Sequence, residues 1–83
     1  MFRKTKYVIV DGKAIVFSAA ITHSDMVGYN QKCTGAGFVN FVCEKDEYGD
    51  TVVRAKCYGE SISLGISSNE NDSNIVSYQI FHQ

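Results

Sequence analysis

Residues 7–17, YVIVDGKAIVF, contain a two-residue turn signal at their centre. Asp11-Gly12 separates two runs of β-branched and aromatic residues, and a type I′ turn needs positive φ at both of its central positions. The spacing therefore predicts a β-hairpin in which Val10 lies opposite Lys13 and Val8 lies opposite Ile15.

Both faces of this predicted hairpin are apolar. One face carries Tyr7, Ile9, Ala14 and Val16, and the other carries Val8, Val10, Ile15 and Phe17. A sheet that is apolar on both sides must be covered on both sides, either by other segments of the chain or by a second copy. Because 83 residues offer little covering material, we expect a homo-oligomer.

Three later segments alternate apolar and polar residues with a period of two. Their apolar positions are Val39, Phe41 and Cys43, then Val53, Ala55 and Cys57, then Ile62, Leu64 and Ile66. A two-residue turn at Gly59-Glu60 would set Cys57 opposite Ile62 and Ala55 opposite Leu64. The acidic turn around residues 46–49 would set Cys43 across from about Val53. The pattern therefore predicts a three-strand antiparallel meander over residues 38–67.

The remaining segments are less regular. Residues 18–28 indicate a short helical or irregular crossover, and residues 28–37 indicate a loop. Residues 69–83 fit a helix or a strand, and we favour the helix because the meander needs a cover. The sequence thus predicts one α+β domain over residues 1–83: a small antiparallel sheet, made of a hairpin and a three-strand meander, with one or two short helices.

Composition narrows the class of partner and the compartment. The net charge of −1 does not favour binding to duplex nucleic acid. Three cysteines without C-x-x-C spacing argue against a disulfide framework and against a zinc ribbon. The apolar run after the basic start is too short for a signal peptide, and no segment approaches a membrane span. We therefore expect a cytoplasmic protein that does not enter a membrane.

The outer face of the predicted meander is the candidate ligand-binding surface. The predicted ligand-binding residues on this face are Asn40, Arg54, Lys56, Ser61 and Ser63. Cations beside small hydroxyl groups suit a phosphate or another anion, although an antiparallel sheet also shows polar residues to water without any ligand. Gly35 and Gly37 could complete such a site.

No catalytic or metal-binding pattern emerges. Gly59-Glu60-Ser61-Ile62-Ser63 lacks the second glycine of a nucleophile elbow, and only His23 and His82 could serve as its base. A zinc site would have to combine these histidines with Cys33 and Cys57, which show no ligand spacing. We expect no enzyme activity, no metal and no cofactor.

A resemblance supplies context. Cys57-Tyr58-Gly59-Glu60-Ser61-Ile62-Ser63-Leu64-Gly65, with Ala36-Gly37-Phe38-Val39 and His23-Ser24-Asp25 upstream, resembles small proteins encoded by bacteriophages and prophages. The resemblance implies an accessory factor that counteracts host defence in the cytoplasm of an infected bacterium. Such a factor would sequester a small phosphorylated signal such as a cyclic nucleotide. The alternative is an anti-CRISPR-like inhibitor that occludes a host defence protein, with acidic positions such as Glu44 and Asp46 docking on a basic partner.

Overall fold

A four-stranded antiparallel sheet, packed against one helix, dominates the computed structural model, which describes residues 4–81. The strands are β1 (Thr5–Val10), β2 (Lys13–Ser18), β3 (Cys33–Lys45), β4 (Thr51–Tyr58), β5 (Glu60–Ser61) and β6 (Ile66–Ser67), and the helix is α1 (Asp72–Phe81). The sheet has the order β2-β1-β3-β4, while β5 and β6 pair with each other. The predicted α+β class is confirmed. No helix within residues 4–81 has the length and apolar character needed to cross a membrane.

The predicted N-terminal hairpin is confirmed in both its turn and its register. Asp11 and Gly12 have φ angles of 50° and 80°, as a type I′ turn requires. Val10 lies opposite Lys13 and Val8 lies opposite Ile15. The turn is also tied to the rest of the chain, because the Asp11 N–H donates to the Lys32 carbonyl oxygen at 2.9 Å.

The chain itself covers both apolar faces of the hairpin. On one side, Tyr7, Ile9 and Ala14 pack with Val76 of α1, and Ile75 and Ile80 lie against this cluster. On the other side lies a second cluster formed by Val8, Val10, Phe17 and Ala36. Residues from the region of a short 3-10 helix (His23–Met26) and from the β5–β6 unit pack onto it: Met26, Val27, Leu64 and Ile66. The hairpin faces therefore need no second copy to cover them.

Residues 33–37 are strand and not the predicted loop. They begin β3 and pair with β1, so that Gly35 lies opposite Ile9 and Gly37 lies opposite Tyr7. Packing requires a glycine at position 35, because a Cβ atom built there would come within 2.8 Å of Asp72 Cγ. Both glycines are buried in the sheet, so they cannot complete a ligand site on the surface.

The first two strands of the predicted meander are confirmed, and its third strand is wrong. β3 pairs with β4, with Cys43 opposite Val53. After β4, however, Ser61 pairs with Ile66, and residues 62–65 form the turn between β5 and β6. The predicted pairs of Cys57 with Ile62 and of Ala55 with Leu64 do not form.

The position of α1 explains why no third strand joins β4. Ser73 Oγ accepts the Cys57 N–H at 2.8 Å, and Ser77 Oγ accepts the Ala55 N–H at 2.9 Å. These N–H groups point away from β3, toward the side where a third strand would have paired. The helix therefore occupies that stretch of the edge.

Candidate functional site

Three of the five predicted binding residues share one face of the sheet. Asn40 lies directly opposite Lys56 in the β3–β4 ladder, and Arg54 lies opposite Val42 two residues further along. Opposed residues in an antiparallel pair project to the same side, so these three side chains lie on one side of β3 and β4. All three residues are exposed.

Glu44 lies between the two cations. Its Oε2 atom is 3.2 Å from Arg54 Nε, and its Oε1 atom is 3.4 Å from Lys56 Nζ. The three side chains are roughly half exposed, and ion pairs in that position contribute little to stability. An anionic ligand could therefore replace Glu44 as the partner of Arg54 and Lys56.

The two serines lie apart from that group. Ser61 is 1% exposed, and its Oγ accepts the Leu64 N–H at 3.2 Å and lies 3.2 Å from Ser63 Oγ. This hydroxyl stabilises the turn between β5 and β6 and does not face solvent. Ser63 is exposed and lines a cleft beside the sheet. The predicted surface thus splits into a cationic face on β3 and β4 and a separate cleft.

The cleft has a volume of about 560 Å³ and mostly apolar walls. Its lining comes from β1, the 3-10 helix region, β3 and the β5–β6 unit: Lys6, Thr22, His23, Phe38, Gly59, Glu60, Ile62 and Ser63. This volume falls within the usual range for small-molecule sites. No local sequence pattern indicates this cleft, because its walls come from four separate parts of the chain.

Two stacked aromatic rings connect the cleft to the cationic face. Phe38 and Tyr58 lie opposite each other in β3 and β4, with ring centroids 5.7 Å apart and planes inclined by 28°. Lys6 lies opposite Phe38 on its other side, and Lys4 Nζ is 5.2 Å from the Phe38 centroid. Lys56 precedes Tyr58 by two residues in β4 and lies on the same face. Two residues span roughly 7 Å along a strand. We call Phe38 and Tyr58 the aromatic pair.

His23 forms part of the cleft wall, but its ring is held by the protein. The ring is 4% exposed and makes edge contacts with Phe17 and Phe38 at centroid distances of 5.5 and 5.9 Å. Its Nε2 lies 2.7 Å from the Gly37 carbonyl oxygen. Because a carbonyl oxygen only accepts, Nε2 must carry a proton in this contact. Lys6 Nζ similarly donates to the Ile21 carbonyl oxygen at 2.9 Å.

A second polar cluster lies buried beneath α1. Tyr7 Oη donates to Asp72 Oδ2 at 2.5 Å, and the same oxygen accepts the Asn69 N–H at 2.9 Å. Burial, followed by the hydrogen bond to Asp72, raises the pKa of Tyr7 far above its ordinary value. Burial also raises the pKa values of Cys33 and Cys57. Tyr7, the partner of Asp72, lies 65 residues away along the chain, and no local pattern in the sequence indicates this contact.

Metal binding finds no support in the part of the chain that the structure describes. Among residues 4–81, no three His, Cys, Asp or Glu side chains lie close enough together to hold a metal ion. His82 lies outside the described residues.

Comparison with known proteins found no match among protein-family models, curated proteins or solved structures.

Proposed function

We propose that this chain is a non-enzymatic binding module for a small phosphorylated ligand of the nucleotide type. The observation that carries the proposal is the aromatic pair, which lies beside an apolar cleft and is flanked by cations on the same face of the sheet. Bases stack on aromatic side chains presented by a sheet, while Lys and Arg bind the phosphates. The combination favours a nucleotide over a simple inorganic anion.

The charges near the aromatic pair suit a phosphate. Lys4 and Lys6 lie on one side of it, and Lys56 and Arg54 lie along β4 on the other. Glu44 and Glu60 are the acidic side chains in these contacts. Four cations therefore face two acids, which favours a ligand with a negative charge of one or two. In this arrangement Tyr58, which is 40% exposed, supplies the accessible stacking surface.

Two hydrogen-bonded side chains support the proposal of binding without turnover: His23 and Ser61. His23 uses its Nε2 proton to bind Gly37, inside the sheet, so that nitrogen cannot accept a proton from a ligand hydroxyl or water. Ser61, the other candidate, is enclosed in its own turn. In this proposal the groups that line the cleft bind and orient a ligand without converting it.

The resemblance to small phage proteins suggests what such binding would achieve. A phage protein that captures a cyclic nucleotide would remove the signal that activates a bacterial defence enzyme. We propose this role, in the cytoplasm of the infected cell, as the biological setting of the binding site. It rests on the resemblance and not on the geometry.

Calorimetry against a panel of linear and cyclic nucleotides tests the proposal. We expect heat with at least one nucleotide. Tyr58→Leu, which keeps an apolar side chain but removes the ring, should weaken its binding by roughly tenfold or more, since a base stack contributes about 1–3 kcal/mol. Arg54→Ala with Lys56→Ala should also weaken it, and the loss should shrink as salt rises.

Lys45→Ala is the matched control, because Lys45 is an exposed cation of the same β3–β4 hairpin on the opposite face. It should leave binding unchanged. If no nucleotide gives binding heat and a host protein co-purifies with the chain, the alternative function is favoured, in which the chain occludes a defence protein. Conversion of a bound nucleotide to product would contradict binding without turnover.

A further inference from the structure

The outer edge of β4 continues beyond the part that α1 covers. The Ala55 and Cys57 N–H groups point outward to helix serines, while the Asp46 N–H, in the continuing ladder, donates to the Asp50 carbonyl oxygen at 2.9 Å. Backbone groups alternate along a strand, so the odd residues of β4 point outward and the even ones point to β3. Thr51 and Val53 therefore direct their N–H and C=O groups away from the sheet.

The opposite edge of the sheet offers no comparable stretch. On β2 the Ala14 N–H and C=O groups are both bound by the side-chain amide of Gln79. The Ser18 carbonyl oxygen accepts the Ile21 N–H at 3.0 Å. Val16 is therefore a single outward-pointing residue of β2 between Ala14 and Ser18, whose outward backbone groups already have partners. Among the described residues of the two outer strands, only β4 has two successive outward positions, Thr51 and Val53, without such contacts.

We propose that a second copy of this chain pairs antiparallel with β4 along Thr51–Val53, with Val52 on the twofold axis. In this register Thr51 lies opposite the second copy's Val53, and the reverse pair forms by symmetry. Both residues of each pair point outward, so the two pairs form four backbone hydrogen bonds. The contact is self-complementary, as a twofold dimer requires, and joins two four-stranded sheets into one of eight strands.

Charge complementarity in this register identifies the second copy as the occupant. The same pairing places Arg54 opposite the second copy's Asp50, on the cationic face, and it does so twice. Arg54 contacts Glu44 through Nε, which leaves its two terminal nitrogens for another carboxylate. An unrelated extended peptide would find the backbone groups but would not supply acids at both positions.

Apolar contact on the other face adds to the pairing. Val53 is 39% exposed on the side that carries α1. Association would bury part of this side chain near the axis. The interface remains small, so it belongs to the weak and transient class, and we expect dimers at high micromolar concentration.

Sedimentation equilibrium over micromolar to millimolar concentrations tests the dimer. Val53→Pro removes an N–H that has no partner within the chain, and we expect it to weaken dimerisation by roughly tenfold or more because two intermolecular hydrogen bonds are lost. Val53→Ala retains the N–H and loses only part of the apolar contact, so we expect it to weaken dimerisation much less than Val53→Pro does. Amide exchange at Thr51 and Val53 should slow as the wild-type concentration rises.

Charge exchange provides an independent measurement that does not depend on proline. Asp50→Arg places two like charges opposite each other and should weaken the dimer by roughly fivefold, and adding Arg54→Asp should restore it. A wild-type chain that stays monomeric at millimolar concentration would overturn the proposal. A Val53→Pro variant that dimerises as the wild type does would also overturn it, since the pairing would then lie elsewhere.

Discussion

Tyr7→Phe isolates the hydrogen bond that joins the sheet to α1. Tyr7 is fully buried and Asp72 is 3% exposed, so phenylalanine keeps the packing and removes only the hydroxyl. Asp72 Oδ2 then loses one of its two donors and retains only the Asn69 N–H. Hydrogen bonds to charged groups contribute about 1.5–3 kcal/mol, and a buried acceptor cannot turn to water instead. We therefore expect a loss of about 2 kcal/mol in the free energy of unfolding.

That loss is large enough to measure by two methods. For a domain of this length it corresponds to a decrease of roughly 8–16 °C in Tm, and urea titration followed by circular dichroism gives the free energy directly. Tyr29→Phe is the control, because Tyr29 is fully exposed, and its unfolding midpoint should not move. A Tyr7→Phe variant as stable as the wild type would show that the contact with Asp72 contributes nothing net.

Two further predictions concern α1 and the buried ionisable groups. Ser77→Ala leaves the N–H of the buried Ala55 without an acceptor, and should cost about 1–3 kcal/mol in urea unfolding, whereas Ser24→Ala, at an exposed serine, should not. Stability should also fall as the pH rises above about 9, because the pKa values of Cys33, Cys57 and Tyr7 are raised in the folded chain. The unfolded chain, with ordinary pKa values of 9.0 for the thiols and 10.0 for the tyrosine, therefore loses these protons first. Urea midpoints at about pH 8 and about pH 10.5 measure this, and equal midpoints would contradict it.

Local signals in the sequence predicted the two hairpins well. Asp11-Gly12 fixes its turn by backbone sterics, and the alternation in residues 39–43 and 53–57 fixes which side chains face α1. A helical tail is expected because the sheet needs a cover, and α1 provides that cover over Asp72–Phe81. The predicted helix reached residue 83, and its last two residues lie outside the described part of the chain.

The predicted third strand does not form, because two sets of local interactions outweigh the alternating apolar pattern. Ile62, Leu64 and Ile66 alternate as a strand would, but the Ser61 hydroxyl binds the Leu64 N–H and closes a turn. At the same time Ser73 and Ser77 take the backbone donors that the strand would have used. The observed site therefore differs from the predicted one. Asn40, Arg54 and Lys56 share a face, Ser63 lines the cleft, and Ser61 is buried. Phe38, Lys6 and His23 meet only through long-range pairing, which no short pattern reports.

The bonds that α1 makes with the N-terminal hairpin have a consequence for folding kinetics. Tyr7 with Asp72 and Ala14 with Gln79 each join residues 65 positions apart. Closing a loop of that length costs chain entropy before the contacts compensate for it, and topologies rich in such contacts fold slowly for their size. Since either hairpin alone would expose its apolar face to water, we expect the chain to fold in a single concerted transition rather than one piece at a time.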